Sequence, residues 1–179
     1  GIEVSAAMQG MAAERLGPKA RPQLRVGNFL DEDQLATGGR WSMVYWNDVF
    51  EHIPPDEIGD WLARIYDMLA PGGQLLTITP NWHVRPSDVT GAFCPPRTAS
   101  AGLHLKEYTL REVRELLRRA GFRRIVTPLA VTRGRMVVCG RGGLNCKCLF
   151  EPALEWLPFR LARLLSRGMG LNCTIATKT

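Results

Sequence analysis

The sequence predicts an α/β fold in which short apolar strands alternate with amphipathic helices. The stretch from residue 42 to residue 81 shows this most clearly, because an apolar strand, an acidic loop, a helix and a second apolar strand follow one another. Spacings of four, three and four give the helix one apolar face, formed by Ile58, Leu62, Ile65 and Leu69. A Pro-Gly-Gly turn at residues 71–73 ends the helix. In an open α/β sheet, ligands bind outside the carboxyl ends of the strands, so the acidic loop is the first candidate site.

Composition limits the class of protein. A chain of 179 residues with 45% hydrophobic residues can bury one sizeable core, so we predict a single domain over residues 1–179. The net charge of +6 permits an anionic partner, although many basic proteins bind none. Five scattered cysteines do not suggest a secreted disulfide framework, and we expect a cytoplasmic protein. No signal peptide is visible, and no apolar run approaches the roughly 20 residues that span a bilayer.

The other elements continue the alternation. We predict strands at residues 2–4, 24–26, 43–46, 74–79, 124–128 and 171–177. The helix between the third and fourth of these strands begins near Pro55, a residue suited to a first helical turn. In the last strand, alternation predicts that Leu171, Cys173 and Ile175 point inward and that Asn172 and Thr174 point outward.

A helix with a clear start precedes the strand at residues 124–128. Thr109 and Glu112 have the spacing of a capping box, and Gly121 is suited to ending the helix. The face opposite its apolar stripe is basic and carries Arg111, Arg114, Arg118 and Arg119. We interpret this face as solvated, and its lack of interleaved aromatic residues disfavours nucleic acid as a partner.

Two long segments interrupt the regular pattern. Residues 82–103 contain several prolines and glycines, and we predict a lid over the acceptor. Residues 131–170 form an insertion before the last strand, with one more short strand expected at residues 136–139. The leucines around Pro158 and the nearby arginines make part of this insertion basic and amphipathic. We favour packing on its own domain over contact with a membrane surface.

Several motifs together resemble the class I S-adenosylmethionine-dependent methyltransferases, in the small-molecule branch. In chain order they are EVS, GNF, NDVFEHIPPDE, LAPGGQLLTITPN and LHLKEYTLREVRELLRRAGF. The resemblance covers nearly the whole chain and implies a Rossmann-like, mostly parallel sheet with an antiparallel last strand. It also implies S-adenosyl-L-methionine as cofactor and methyl transfer to a small-molecule acceptor, with oxygen expected before nitrogen or carbon.

One part of the family pattern is missing from the sequence. In the family, a glycine-rich cofactor loop precedes the strand that Gly1-Ile2-Glu3 matches, and the later Gly140-Arg141-Gly142-Gly143 does not lie between a strand and a helix in the required order. We interpret the chain as N-terminally truncated. The alternative is a catalytically degenerate partner or scaffold protein that has lost cofactor binding. A nicotinamide-dependent reductase is a third hypothesis, but no GxGxxG motif accompanies the acidic strand end.

The resemblance assigns cofactor contacts by position. Glu3 matches the acidic residue that binds both ribose hydroxyls, for which a carboxylate supplies two acceptor oxygens. The residues assigned to the adenine ring and its amino group are Val4, Met8, Asn28 and Phe29. The backbone carbonyls of Trp46 and Asn47 are candidate acceptors for the ammonium group of the methionine portion.

Methyl transfer to oxygen requires in-line placement of the acceptor and removal of its proton. His52 is the leading candidate for the base, with Glu51 beside it. Together with Asp48, these residues resemble a divalent-metal site of some ubiquinone-type O-methyltransferases, but we assign no metal. Glu51 and His52 could instead brace the next helix. The other candidate bases are His104 with Tyr108, and His83.

Two further expectations concern the later part of the chain. Cys139, Cys146, Cys148 and Cys173 could form a zinc site, but the single residue between Cys146 and Cys148 fits zinc spacing poorly. We expect residues 82–103 and the insertion around Trp156 and Phe159 to build the acceptor pocket. The sequence predicts no oligomeric state.

Overall fold

The computed structural model describes residues 1–3, 5–19, 24–30, 41–132 and 135–179. Val4, which the sequence assigned to the adenine, lies outside the described residues. The chain forms two compact units, Gly1–Arg40 and Trp41–Thr179.

The first unit contains two strands and one helix. Strands β1 (Ile2–Glu3) and β2 (Arg25–Val26) pair in parallel, with Glu3 opposite Val26. Helix α1 (Ala6–Leu16) follows β1 and begins at Ser5, whose hydroxyl accepts a hydrogen bond from the Met8 backbone N–H. The predicted strand-helix-strand order is confirmed for this unit.

The second unit is built on a five-stranded sheet. Its strands are β3 (Trp41–Asn47), β4 (Leu69–Ile78), β5 (Arg124–Thr132), β6 (Arg135–Cys139) and β7 (Cys173–Thr177). Their order in the sheet is β3-β4-β7-β5-β6. Strands β3 and β4 are parallel, and β7 lies antiparallel between β4 and β5. The predicted parallel set with an antiparallel last strand is therefore confirmed, and β6 adds an antiparallel partner to β5.

Helices pack around this sheet. They are α2 (Ile58–Met68), α3 (Leu110–Arg119), α4 (Arg141–Phe150) and α5 (Phe159–Gly168). Short 3-10 helices lie at Phe50–His52, Trp82–Val84, Val89–Ala92 and Glu151–Trp156. Ile58, Leu62 and Ile65 of the apolar face predicted for α2 are buried, whereas Leu69, expected as its fourth member, is buried as the first residue of β4. The capping box between Thr109 and Glu112 is present at the start of α3.

Two local predictions about the strands and helices were wrong. Helix α2 begins at Ile58 rather than near Pro55. The Pro-Gly-Gly segment lies inside β4, because the strand already starts at Leu69, which pairs with Trp41 before a register shift. The backbones of Gly72 and Gly73 also exchange hydrogen bonds with Lys178, which keeps this segment in the sheet.

The predictions for β7 and the glycine cluster also need correction. Thr174 was expected to point to solvent, yet it is only 2% exposed, and its neighbour Cys173 is buried as well, so both faces of β7 are covered. Residues 140–143 do lie between a strand and a helix, because they follow β6 and lead into α4, and Cys146 and Cys148 are therefore helical.

Candidate active site

The candidate site lies where β3 and β4 end. Asp48 follows β3 directly, in the left-handed region at φ 50°, and its backbone N–H donates to the carbonyl of Ile78 at 3.0 Å. The 3-10 helix Phe50–His52 starts two residues later and presents Glu51 and His52. The carboxyl ends of two parallel strands thus bring the acidic loop to one edge of the sheet.

Glu51 is the most deeply buried acidic group of this site, with an exposed fraction of 0%. Its Oε2 atom accepts a hydrogen bond from the Thr79 hydroxyl at 2.9 Å. Oε1 has no hydrogen bond within the described parts of the chain and lies 4.0 Å from Nε2 of His104. Burial raises the pKa of Glu51, although hydrogen bonds act in the opposite direction.

His104 is oriented by a second buried acid, Glu107. The Nδ1 atom of His104 lies 2.8 Å from Oε1 of Glu107. The same oxygen accepts hydrogen bonds from the Ser87 backbone N–H at 2.7 Å and the Ser100 hydroxyl at 2.9 Å. Because a carboxylate only accepts, this contact places the imidazole proton on Nδ1 and leaves the lone pair of Nε2 available.

Asp88 fixes the backbone that carries His104. Its Oδ2 atom accepts hydrogen bonds from the backbone N–H groups of Gly102, Leu103 and His104 at 2.8–3.3 Å. Burial alone would raise its pKa, but hydrogen bonds from Thr90, His104 and Leu103 hold the pKa of Asp88 well below its usual range. The charged form of Asp88 therefore stabilises the turn that presents His104.

A polar cavity of about 320 Å³ opens in front of these groups. Asp48, Glu51 and His104 line one part of it. The rest of its lining comes from Pro80, Asn81, Val84, Ser87, Arg163, Ser166, Arg167 and Asn172. Segment 82–103 and the insertion 131–170, the two segments expected to surround an acceptor, both contribute to this wall, but Trp156 and Phe159 do not line it.

His52 stands beside His104 rather than at the cavity wall. The two rings are 5.0 Å apart in an edge-on arrangement, and Nδ1 of His52 lies 3.0 Å from the Leu103 carbonyl. Glu51, His52 and His104 could together hold a metal ion, because one ligand atom from each lies within 4.8 Å of the others. Over the described residues, no group of cysteines meets this criterion.

Tyr108 and His83 are placed less favourably for catalysis. Tyr108 is buried with its ring edge-on to Phe50, at 4.8 Å between ring centroids. Its hydroxyl has no hydrogen-bond partner in the described residues, and burial raises its pKa to about 12. His83 contacts Glu155 through Nδ1 at 3.1 Å, in a cluster with Arg85 and Arg97.

The first unit contains Glu3 and Asn28, two of the residues that the family resemblance assigns to the cofactor. Glu3 ends β1, and Asn28 follows the paired strand β2, so a carboxylate and an amide stand at the same edge of adjacent parallel strands. Ser5 N–H donates to Oε1 of Glu3 at 3.0 Å, and Leu30 N–H donates to Oδ1 of Asn28 at 3.1 Å. These bonds orient both side chains, and each acceptor oxygen keeps a second lone pair.

The remaining cofactor candidates have different environments. Met8 is exposed on α1, and Phe29 lies in the turn after β2. Trp46 is buried at the end of β3 and stacks on Trp61 at 6.2 Å between ring centroids. Asn47 donates from Nδ2 to Oδ2 of Asp48 at 2.7 Å. Trp46 and Asn47 thus belong to the same strand end as the acidic loop.

Sequence reasoning missed the two acids that organise His104. Glu107 lies three residues after His104, a spacing that could have indicated a pair within one turn. Asp88 is 16 residues before His104, and its polar neighbours gave no signal of that contact. Arg163 and Arg167 were noted only as part of a basic amphipathic segment, whereas they line the cavity.

Comparison with known proteins identifies the fold and the family. A family model described as a methyltransferase domain matches residues 1–127. An S-adenosylmethionine-dependent methyltransferase from Archaeoglobus fulgidus has a similar structure, at TM-score 0.57 and 13% identity over 99% of this chain and 75% of that chain. No curated protein matches the chain significantly.

Two further solved structures share the fold. A protein described as a possible histamine N-methyltransferase from Thermotoga maritima has TM-score 0.57 and 15% identity, over 100% of this chain and 72% of that one. Human N-acetylserotonin methyltransferase, solved with S-adenosylmethionine, has TM-score 0.52 and 14% identity, over 99% of this chain and 39% of the human chain. With the strand order and the domain match, these similarities establish that the chain belongs to the class I S-adenosylmethionine-dependent methyltransferases.

Proposed function

We propose that this protein transfers a methyl group from S-adenosylmethionine to a small-molecule acceptor bound in the polar cavity, with oxygen as the expected acceptor atom. Two of the similar structures are a possible histamine N-methyltransferase and an N-acetylserotonin methyltransferase, names that refer to small-molecule acceptors. The polar lining of the cavity suits an acceptor with hydrogen-bonding groups.

The pair formed by His104 and Glu107 is the observation that carries this proposal. When bound, the cofactor supplies an electrophilic methyl group, so the protein must place the acceptor and take up its proton. His104 faces the cavity, and its Nδ1 contact with Glu107 leaves Nε2 free to accept that proton. Glu107 holds the ring in this tautomer and stabilises the imidazolium that forms.

Glu51 adds a second electrostatic contribution. Its Oε1 atom lies 4.0 Å from Nε2 of His104, the atom that would take up the acceptor's proton. Burial makes the charged form of Glu51 costly while His104 is neutral, and protonation of His104 reduces that cost. We therefore assign the base to His104 and support to Glu107 and Glu51. His52, the leading sequence candidate, becomes a neighbour that packs against the base.

Cofactor binding is assigned to the strand ends named above. Glu3 would accept hydrogen bonds from the ribose hydroxyls, and Asn28 and Phe29 would contact the adenine. The assignments of Val4, Met8, Trp46 and Asn47 to cofactor contacts are also part of the proposal. They rest on the family resemblance, and for Trp46 and Asn47 also on their place at the end of β3.

The experiment is an assay of S-adenosylhomocysteine release with a panel of phenol, alcohol and amine acceptors. For an acceptor that turns over, His104→Gln should lower kcat by about 10²-fold or more and leave cofactor affinity unchanged. His52→Gln is the matched control, since it changes the adjacent imidazole, and we expect a smaller loss. Full activity of His104→Gln with an oxygen acceptor would exclude His104 as the base.

A further inference from the structure

The exposed side of α5 combines an apolar stripe with a basic stripe. Leu161 and Leu164 are 43% and 68% exposed and lie three residues apart. Arg160, Arg163 and Arg167 repeat at spacings of three and four, so they form a neighbouring stripe on the same solvent side. The buried residues of this helix are Ala162 and Ser166, which shows which side packs on the protein.

The segments beside α5 extend the apolar part of this surface. Trp156, at the end of the 3-10 helix Glu151–Trp156, is 89% exposed. Leu149 and Phe150, at the end of α4, are also exposed. Phe150 also lines a cavity of about 310 Å³, whose other, mostly apolar lining residues include Leu154, Leu157, Leu165 and Met169. Large exposed apolar side chains concentrated on neighbouring segments are typical of an interaction site.

The charge of the surface indicates the kind of partner. Arg160, Arg163 and Arg167 form no ion pair with any described residue. The nearby carboxylate of Glu155 is already engaged by His83, Arg85 and Arg97. Arginine beside exposed leucine and tryptophan matches the boundary of a bilayer, where phosphate head groups lie next to acyl chains.

We propose that α5, with Trp156 and the end of α4, docks this protein on an anionic lipid surface. Among the described residues no helix is long and apolar enough to cross a membrane. In the proposed docking, α5 would lie along the surface of the bilayer. Arg163 and Arg167 also line the cavity of the candidate active site. Docking through α5 would therefore bring the mouth of that cavity to the level of the lipid head groups.

The test is co-sedimentation of the full chain with vesicles of phosphatidylcholine, with and without phosphatidylglycerol. We expect binding to the anionic vesicles that weakens as salt is added, and little binding to neutral ones. Leu164→Asp should weaken vesicle binding about tenfold, because it places a negative charge on the apolar stripe. Arg160→Glu should lower the preference for anionic vesicles, and this residue does not line the active-site cavity.

Leu16→Asp is the matched control, because Leu16 is also an exposed helical leucine, at 63%. This variant should bind vesicles like the wild type. Equal binding to neutral and anionic vesicles, or unchanged binding of Leu164→Asp, would overturn the proposal. The proposal would also be overturned if the wild type failed to bind vesicles but formed a dimer in light scattering that Leu164→Asp converts to a monomer. In that case the surface would bind a second copy of the chain. Each readout is independent of methyl transfer.

Discussion

The Nδ1 atom of His104 lies 2.8 Å from Oε1 of Glu107, and both side chains are almost completely enclosed. Two further donors, from Ser87 and Ser100, meet the same carboxylate oxygen. This arrangement fixes the imidazole in one tautomer before any acceptor binds. A base that is oriented in advance needs no reorganisation when the acceptor's proton is removed.

Replacement of Glu107 tests this arrangement. Glu107→Gln keeps the size of the side chain but allows its amide to donate to Nδ1, which would place the imidazole proton on Nε2. We expect kcat to fall by about 10-fold to 10²-fold, with unchanged affinity for S-adenosylhomocysteine. Steady-state kinetics and calorimetry on the same preparation measure the two quantities. A parallel loss of cofactor affinity would indicate a structural role for Glu107.

Tyr108 is expected to contribute packing rather than proton transfer. Its buried hydroxyl has no hydrogen-bond partner in the described chain, so Tyr108→Phe removes a polar atom without breaking a hydrogen bond. We predict turnover within about twofold of the wild type and equal or slightly higher stability to urea. A tenfold drop in kcat for Tyr108→Phe would restore the catalytic role suggested by the sequence.

Glu151 should make stability depend on pH. Its carboxylate is buried and accepts hydrogen bonds from the Leu110 backbone N–H and from Nδ2 of Asn81, and burial raises its pKa above the usual 4.5. The folded state then binds this proton more tightly than the unfolded state. The contribution of Glu151 is therefore fully present below the unfolded pKa and is lost as pH rises through the folded pKa.

Urea titrations of the wild type and Glu151→Gln across this pH range measure the effect. The free energy of unfolding of the wild type should fall, relative to the variant, as pH rises above about 4.5. Glutamine keeps an acceptor oxygen for Leu110, so the comparison isolates the titrating charge. If the difference in free energy of unfolding between the wild type and Glu151→Gln did not change with pH, the pKa of Glu151 would be the same in the folded and unfolded states.

The capping box at the start of α3 offers a stability test outside the active site. The Thr109 hydroxyl accepts from the Glu112 backbone N–H at 3.1 Å, and the Glu112 carboxylate accepts from the Thr109 backbone N–H at 2.8 Å. Thr109→Ala should lower the free energy of unfolding by about 1 kcal/mol, and Thr109→Ser, which retains the hydroxyl, should lower it less. Denaturation by urea distinguishes the two, and equal losses would assign the effect to the methyl group.

Local patterns predicted part of this structure well. The capping box and the apolar face of α2 depend on residues within a few positions of one another, so spacing alone was sufficient. The burial of Thr174 was missed because it depends on both faces of β7 being covered, which the alternation of residues within the strand does not show. The Pro-Gly-Gly segment was mistaken for a turn because its hydrogen-bond partner Lys178, and Trp41, which pairs with Leu69 at the start of the strand, are remote in the chain.

In the candidate site, too, the sequence predicted individual residues but not the contacts between distant segments. The sequence placed Glu51, His52 and His104 among the candidates, and the structure brings them together. Glu51 and His104 are more than 50 residues apart in the chain, and no sequence pattern predicts that their side chains lie close together in space. Glu107 and Asp88 were not identified because their role follows from contacts that only the structure shows. Glu107 contacts the side chain of His104, and Asp88 accepts from the backbone beside it.

Calorimetric titration of S-adenosylhomocysteine into the full-length protein tests the central claim most directly. We predict saturable binding at one site, weakened about tenfold or more by Glu3→Ala because the ribose hydroxyls lose their carboxylate acceptor. Glu14→Ala, on the neighbouring helix α1, serves as the control and should bind like the wild type. Absence of binding, or equal affinity of the wild type and Glu3→Ala, would contradict the assignment of the cofactor site.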